Sequence, residues 1–246
     1  MNQASAQARK AALVFGGSRG IGAAIVDRLA RDGFAVAFTY VSSADKAKIL
    51  VDRIAEQGGQ ALAIQADSAD PAAIRNAVAQ AVERFGDIDV TVVNAGVFRM
   101  GTIDAVSLED LDLMLNVNVR GVYLSIQATV PHLKPGARVI TIGSNVALHT
   151  RTPGASVYQL TKTALAGMVK GIALDLAPRG ITVNNIQPGP TETDMTAGAL
   201  DMLAGMNPLK RVAKPGEIAG LVAYLAGDEA GYVTGASLTI DGGFTL

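Results

Sequence analysis

Cysteine is absent from these 246 residues, and histidine occurs only at His132 and His149. The first absence excludes disulfides and thiolate nucleophiles. It also fits a reducing compartment, so the cytoplasm is the expected location. Two isolated imidazoles with no thiol partner offer no metal-ligand spacing, and no metal is expected. No apolar run approaches the roughly 18 residues of a membrane-spanning helix. Neither charge dominates: 21 Lys and Arg stand against 22 Asp and Glu, a formal net charge of −1. That balance gives no reason to expect nucleic acid or an anionic membrane as partner. Repeats, low-complexity tracts and linkers are missing too, so one domain over 11–246 is expected. The polar segment Met1 to Lys10 is expected as a loose N-terminal arm.

What the chain has in quantity is glycine, 27 residues, within a composition that is 49% hydrophobic. Short apolar runs at 11–15, 35–40, 61–65, 90–93, 139–142, 181–186 and 237–240 read as strands. Longer helical patterns lie between them, at 20–32, 44–57, 71–85, 107–130, 155–177 and 216–226. Asp70-Pro71 and Ser107 mark two capped starts. Regular alternation of strand and helix predicts an α/β fold: a doubly wound, Rossmann-type parallel sheet of about seven strands with helices on both faces. The segment 188–214 breaks the rhythm with Pro188, Gly189, Pro190, Gly198, Gly205 and Pro208. Connections of that length are often lids, and a substrate loop is expected there.

Gly16-Gly17-Ser18-Arg19-Gly20-Ile21-Gly22 joins the first strand to the first helix. Glycines let the backbone turn tightly and approach a pyrophosphate, and the helix N-terminus offers free N–H groups and positive dipole. The second strand ends at Tyr40 and runs into Ser42 and Ser43, with no acid placed to hold a ribose 2′-hydroxyl. Arg19 and the two serine hydroxyls suit a 2′-phosphate instead, so NADP(H) is the expected cofactor. Farther on, Tyr158 and Lys162 stand four apart, one helical turn, on one face. An ammonium beside a phenol favours the phenolate, so Lys162 is expected to lower the Tyr158 pKa and make it an acid–base group.

Taken in order, Gly16–Gly22, Asp67, Asn94-Ala95-Gly96, Asn118, Ser144, Tyr158-x-x-x-Lys162, Pro188-Gly189 with Thr193, and Thr234-Gly235 with Asp241-Gly242-Gly243 make the chain resemble the short-chain dehydrogenase/reductase family. The likeness is to its 3-oxoacyl-(acyl-carrier-protein) reductase-like branch and covers nearly the whole chain. The resemblance implies hydride transfer between a nicotinamide and a ketone or secondary alcohol, with Tyr158 as general acid in reduction. It implies that Ser144 orients the carbonyl and that Lys162 holds the ribose hydroxyls. Asn118 would hold a relay water. It places Asp67 and Ser68 near the adenine, Asn94, Ala95 and Gly96 beside its ribose, and Pro188, Gly189, Thr191 and Thr193 against the nicotinamide end. Phe15, Val93 and Thr191 depart from the family pattern; the first two each remove a local hydrogen bond that must be made otherwise.

Candidate substrate contacts are Phe98, Asn145, Val146, His149, Gln187, Met195, Met202 and Met206, a mostly apolar set suited to a small or medium ketone or alcohol. Small residues along 155–177 allow close helix approach. A symmetric oligomer is expected there, and the resemblance implies a homotetramer. Two other readings stand beside the carbonyl reductase. One is a nucleotide- or cyclic-dinucleotide-binding protein without turnover on the same fold; the other is an epimerase or dehydratase.

Overall fold

The computed structural model describes residues 9–150 and 153–246. Residues 1–8 of the expected arm lie outside the described residues. The strands are β1 (Ala11–Phe15), β2 (Ala35–Tyr40), β3 (Gln60–Gln65), β4 (Ile88–Val93), β5 (Leu133–Ile142), β6 (Thr182–Pro188) and β7 (Ser237–Ile240). The helices are α1 (Gly20–Arg31), α2 (Ala44–Glu56), α3 (Pro71–Phe85), α4 (Leu108–Leu115), α5 (Val122–Thr129), α6 (Ser156–Leu176), α7 (Leu200–Met206) and α8 (Pro215–Ala226). All seven strands pair parallel in the order β3-β2-β1-β4-β5-β6-β7.

Alternation along each strand splits the apolar side chains between two layers. Ala12 and Val14 of β1 join Val36 and Phe38 of β2, and pack on Ile25 and Leu29 of α1, Leu50 of α2 and Val222 of α8. Leu13, Phe15 and Ala37 face the other way, toward Ile74 of α3, Ile126 of α5 and Leu165 and Val169 of α6. A sheet covered on both faces buries every residue of β1 and of β6; β1 is apolar throughout, while β6 also buries Asn184, Asn185 and Gln187. The chain winds outward from β1 to β3, then returns to β4 beside β1. That reversal opens a crevice beyond the carboxyl ends of β1 and β4, where doubly wound sheets bind ligands. No helix among the described residues is long and apolar enough to cross a membrane.

Local chemistry explains the boundaries. The Asp70 carboxylate accepts from the Ala72 N–H at 2.7 Å, with Pro71 at the first helical position. Asp70→Ala is expected to destabilise the chain by about 1 kcal/mol and to lower the melting temperature by about 2–4 °C. An unchanged melting curve would show that solvent replaces the cap fully. At the other end of the sheet, Asp89 accepts from the Ala11 N–H at 2.7 Å and from Lys134 Nζ at 2.9 Å, joining β1, β4 and the start of β5.

Two elements depart from the sequence expectation. The single helix expected over 107–130 is interrupted by a wide π-helical segment, Asn116–Gly121, between α4 and α5, and ends in a 3-10 turn at Val130–His132. A π segment widens the helix by one residue per turn and is common where a side chain must be re-aimed. Here it carries Asn118 inward and sets Gly121 against the Asp67–Ser68 turn, where an added Cβ would stand 2.2 Å from the Ser68 carbonyl oxygen. The 188–214 segment holds the short helix α7, and an isolated parallel bridge between Thr191 and Ala213 ties its two ends together.

Candidate active site

The glycine turn is built as a cradle. Gly16 and Gly20 have φ of +79° and +52°, and a Cβ on Gly16 would meet the Ala95 backbone at 2.8 Å. The hydrogen bond that Phe15 cannot make is supplied by Thr39, whose hydroxyl accepts from the Gly16 N–H at 2.9 Å. Val93 is compensated in a similar way. Asn94 donates from Nδ2 to the Gly16 carbonyl at 2.7 Å, and the Asn94 and Ala95 N–H groups both donate to the Phe15 carbonyl. The turns after β1 and β4 are thereby bonded to each other. Arg19 stands at the N-terminal boundary of α1 with no side-chain cap, so the first-turn N–H groups of that helix face outward, as an anion requires.

Farther along the adenine side, Asp67 is exposed and folds back to accept from the Ala69 N–H at 2.8 Å, while Ser68 is buried. Tyr40 is half-buried at the end of β2, and Ser42 and Ser43 follow on the surface; the Ser43 side chain leaves α2 uncapped. At the far end, Thr191 is buried and donates to the Gly189 carbonyl at 2.9 Å. A Cβ on Gly189 would meet the Asp241 side chain at 2.5 Å, so the tips of β6 and β7 close tightly under this stretch.

The expected catalytic residues gather at the carboxyl edge of β5. Ser144, leaving that strand, lies close to the Tyr158 phenol from α6 and favours its ionised form. Phe98, from the loop after β4, meets the Tyr158 ring edge-on with centroids 4.8 Å apart. Lys162 is buried, donates from Nζ to the Ile142 carbonyl at 3.0 Å, and lies 5.5 Å from the centre of the Tyr158 ring. A Cβ on Gly96 would stand 3.6 Å from that ammonium and 3.4 Å from Asn118 Oδ1, so the loop after β4 packs directly on both.

The expected electrostatics of the pair are corrected by the structure. Tyr158 is pushed up to about 12, because loss of solvent around the hydroxyl outweighs the favourable effect of Ser144. Lys162 is pulled down to about 8 by its own burial. Desolvation therefore dominates both groups, and the ammonium lies over the Tyr158 ring.

This has a sign that can be measured. Below pH 8 Lys162 is charged in both folded and unfolded chains, and the folded state carries the burial cost. Between pH 8 and about 10 the folded chain gives up that proton first, so its stability rises with pH. The rise is about 3 kcal/mol when complete. Tyr158 acts oppositely and later, its contribution falling away from about pH 10 to 12. Urea unfolding of the protein without coenzyme is expected to show the first rise in the wild type and not in Lys162→Met. Parallel pH profiles for the two proteins would refute the depressed ammonium.

The Asn118 side chain is held by protein groups on both sides. Its amide donates to the Val97 carbonyl at 2.8 Å and to Thr161 Oγ1 at 3.3 Å, and its oxygen accepts from the Val97 N–H at 2.8 Å. Both amide hydrogens are committed to protein, and the side chain fixes the 94–97 loop against α6. Thr161 in turn donates to the Tyr158 carbonyl at 2.8 Å, so this network steadies the turn that carries the phenol.

The substrate set divides. Phe98 packs edge-on against Tyr158, and the half-buried Val146 donates its N–H to Ser144 Oγ at 3.3 Å. Asn145 is buried and reaches Asp241 Oδ2 at 3.4 Å, and Gln187 is buried with its oxygen accepting from Thr239, so neither presents a free surface to a substrate. His149 is exposed, as are Met195, Met202 and Met206 on the 188–214 segment. Sequence reasoning passed over Lys46 and Asp194, which form an ion pair beside Arg19. It also passed over Thr39; a hydroxyl at a strand end facing a glycine turn was the available signal. A hollow of about 710 Å³ between α1, α2 and α8 lies away from this edge, lined by Arg28, Arg31, Asp27 and Asp32, whose charges pair with one another or with Arg53. Among the described residues no group of three or more His, Asp or Glu is placed to hold a metal ion.

A family model described as enoyl-(acyl carrier protein) reductase matches residues 16–245. The chain is a short-chain dehydrogenase/reductase. Its place in the 3-oxoacyl-reductase-like branch is carried by a Staphylococcus aureus relative named 3-oxoacyl-[acyl-carrier-protein] reductase, 37% identical over 242 residues, 96% of this chain and 98% of that one. A short-chain dehydrogenase from Burkholderia cenocepacia, crystallised with NADP, is 48% identical, with a TM-score of 0.94 over 98% of this chain and 100% of that one. An Escherichia coli relative, 42% identical over 96% of this chain and 97% of its own length, is named a cyclic-di-GMP-binding biofilm dispersal mediator. As a short-chain dehydrogenase/reductase, the chain is an oxidoreductase.

Proposed function

We propose that this short-chain dehydrogenase/reductase is an NADPH-dependent carbonyl reductase acting on a small or medium ketone, or on the corresponding secondary alcohol in reverse. The observation that carries the reading is the convergence of Ser144, Tyr158 and the buried Lys162 beside a glycine cradle. The residues present fit a dinucleotide: Gly16 turns so close to the Ala95 backbone that no Cβ has room, and the first-turn N–H groups of α1 carry no side-chain cap. Gly16, Ser18, Gly20, Ile21 and Gly22 would hold the pyrophosphate, Arg19, Ser42 and Ser43 the 2′-phosphate, Lys162 the nicotinamide ribose, and Gly189, Thr191 and Thr193 the nicotinamide. When bound, the coenzyme supplies the hydride. The Burkholderia relative crystallised with NADP supports the choice of coenzyme.

The chain's own part is proton chemistry and orientation. The Ser144 hydroxyl donates to the carbonyl oxygen and stabilises the charge that develops there. The phenol of Tyr158, pushed up to about 12, is fully protonated at neutral pH, so it is always ready as an acid. An alkoxide is far more basic than a phenolate, so the proton passes downhill from Tyr158 to that oxygen. Lys162, near 8, keeps its charge at neutral pH and offsets the phenolate left behind. Phe98 walls one side of the phenol and narrows the approach.

The cyclic-dinucleotide name of the Escherichia coli relative favours a second reading, in which the cradle binds a nucleotide without turnover. NADPH oxidation by purified protein against a ketone panel separates the two. Consumption that depends on the ketone supports the reductase. Saturable coenzyme binding with no consumption across the panel would support the binder. Exposed Leu160 and Leu174 on α6, with Leu108 and Tyr123 on α4 and α5, are the apolar side chains a homotetramer would cover. Light scattering after size exclusion gives the subunit count.

A further inference from the structure

Arg19 Nη1 and Lys46 Nζ converge on one atom, the Oδ2 of Asp194, at 3.3 and 3.1 Å. Arg19 comes from the glycine turn, Lys46 from the first turn of α2, and Asp194 from the 188–214 segment. The three meet only because the sheet order places β2 beside β1 and the segment folds back across both. The piece carrying Asp194 is itself built. Thr191 donates to the Gly189 carbonyl, Thr196 to the Thr191 carbonyl, and the Thr193 N–H to Thr196 Oγ1. A Cβ on Gly20 would stand 3.2 Å from Thr193 Cγ2, so this turn lies against the cradle. Lys46, and Arg19 to a lesser degree, hold the Asp194 carboxyl below the usual carboxylate range.

We propose that Arg19 and Lys46 form a single anion seat, that Asp194 is its occupant in the coenzyme-free chain, and that the 2′-phosphate of NADP(H) displaces Asp194 and frees the tip of the 188–214 segment. The inference rests on the reading of Arg19 as a 2′-phosphate ligand and adds Lys46 and Asp194 to it. NAD(H) lacks that phosphate and leaves the pairs closed. A phosphate monoester carries more negative charge at neutral pH than a carboxylate and offers three acceptor oxygens, so it wins the seat. All three side chains are more than half exposed, so the pairs are weak and yield readily. Release of the segment is then tied to the phosphate that distinguishes the two coenzymes.

The test is calorimetric titration of adenosine 2′,5′-bisphosphate and of 5′-AMP into wild type, Asp194→Asn, Lys46→Gln and Arg19→Gln, at low and at high salt. Removing the competitor is expected to tighten bisphosphate binding by about threefold or more at low salt, with the gain shrinking as salt screens the charges. Binding of 5′-AMP should be equal in wild type and Asp194→Asn, and Lys46→Gln should weaken the bisphosphate. Hydrogen exchange over 191–199 should quicken in the wild type with bisphosphate and not with 5′-AMP. Unchanged or weaker bisphosphate binding in Asp194→Asn overturns the inference. If Arg19→Gln binds the bisphosphate as the wild type does, the reading of Arg19 beneath it falls. If Arg19→Gln weakens binding while Asp194→Asn gains nothing, only the displacement falls.

Discussion

Tyr158→Phe is expected to lower the rate of ketone reduction by about 10²–10⁴-fold while leaving coenzyme affinity within about twofold. The substitution removes one oxygen and keeps the ring. The edge-on contact with Phe98 at 4.8 Å survives, as do the Lys162 bond to the Ile142 carbonyl and the Thr161 bond to the main chain of residue 158. What disappears is the proton donor and the neighbour of the Ser144 hydroxyl. Ser144 alone can still polarise a carbonyl, so a residual rate is expected rather than none. Ser144→Ala should fall less far, since the acid remains. Steady-state kinetics with a fluorescence titration of NADPH checks both halves. A Tyr158→Phe enzyme with wild-type turnover would remove the phenol from the chemistry.

Gly22→Ala is expected to abolish coenzyme binding and to destabilise the chain by about 2–4 kcal/mol. The added methyl would stand 2.0 Å from the Gly16 carbonyl oxygen and 2.6 Å from Asn94 Nδ2. Those two atoms are bonded to each other at 2.7 Å, and that bond joins the turns after β1 and β4. The obstacle is backbone within the cradle, so nothing can swing aside. Relief requires α1 to lift from the sheet, which opens the cradle and strips its packing together. Gly171→Ala is the matched control. It lies in α6 with nothing of its own chain within 4 Å of the new Cβ, so within the subunit helix propensity should stabilise by about 0.5–1 kcal/mol. Thermal unfolding with NADPH titration compares them. A Gly22→Ala protein that melts and binds like the wild type would mean that the close approach is not there.

Much of the fold was legible because local chemistry and tertiary need agree. The β1 and β2 spans and α3 follow from unbroken apolar runs and from an Asp-Pro cap, and the structure places them at the expected residues. The Tyr158–Lys162 spacing is a property of one helix, so its geometry could be read from five residues. What escaped depends on partners far along the chain. The break at Asn116–Gly121 exists because the Asn118 amide bonds Val97, 21 residues earlier. The direction of the Tyr158 shift depends on what surrounds the hydroxyl, and spacing along α6 carries no record of desolvation. The Asp194 ion pairs join residues 148 and 175 positions apart. Asn145 and Gln187 looked like pocket residues because they follow strand ends. Thr239 of β7 and Asp241 just beyond it bond them instead.

The measurement that bears most directly on the whole account is reduction of an active ketone with NADPH deuterated at its transferable C4 position, followed by mass spectrometry of the alcohol in wild type and Tyr158→Phe. The account predicts one deuterium on the carbinol carbon and a solvent-derived proton on its oxygen, formed at the full rate in the wild type and at least about a hundredfold more slowly in the variant. Unlabelled alcohol, or equal rates of labelled alcohol from both proteins, would contradict it.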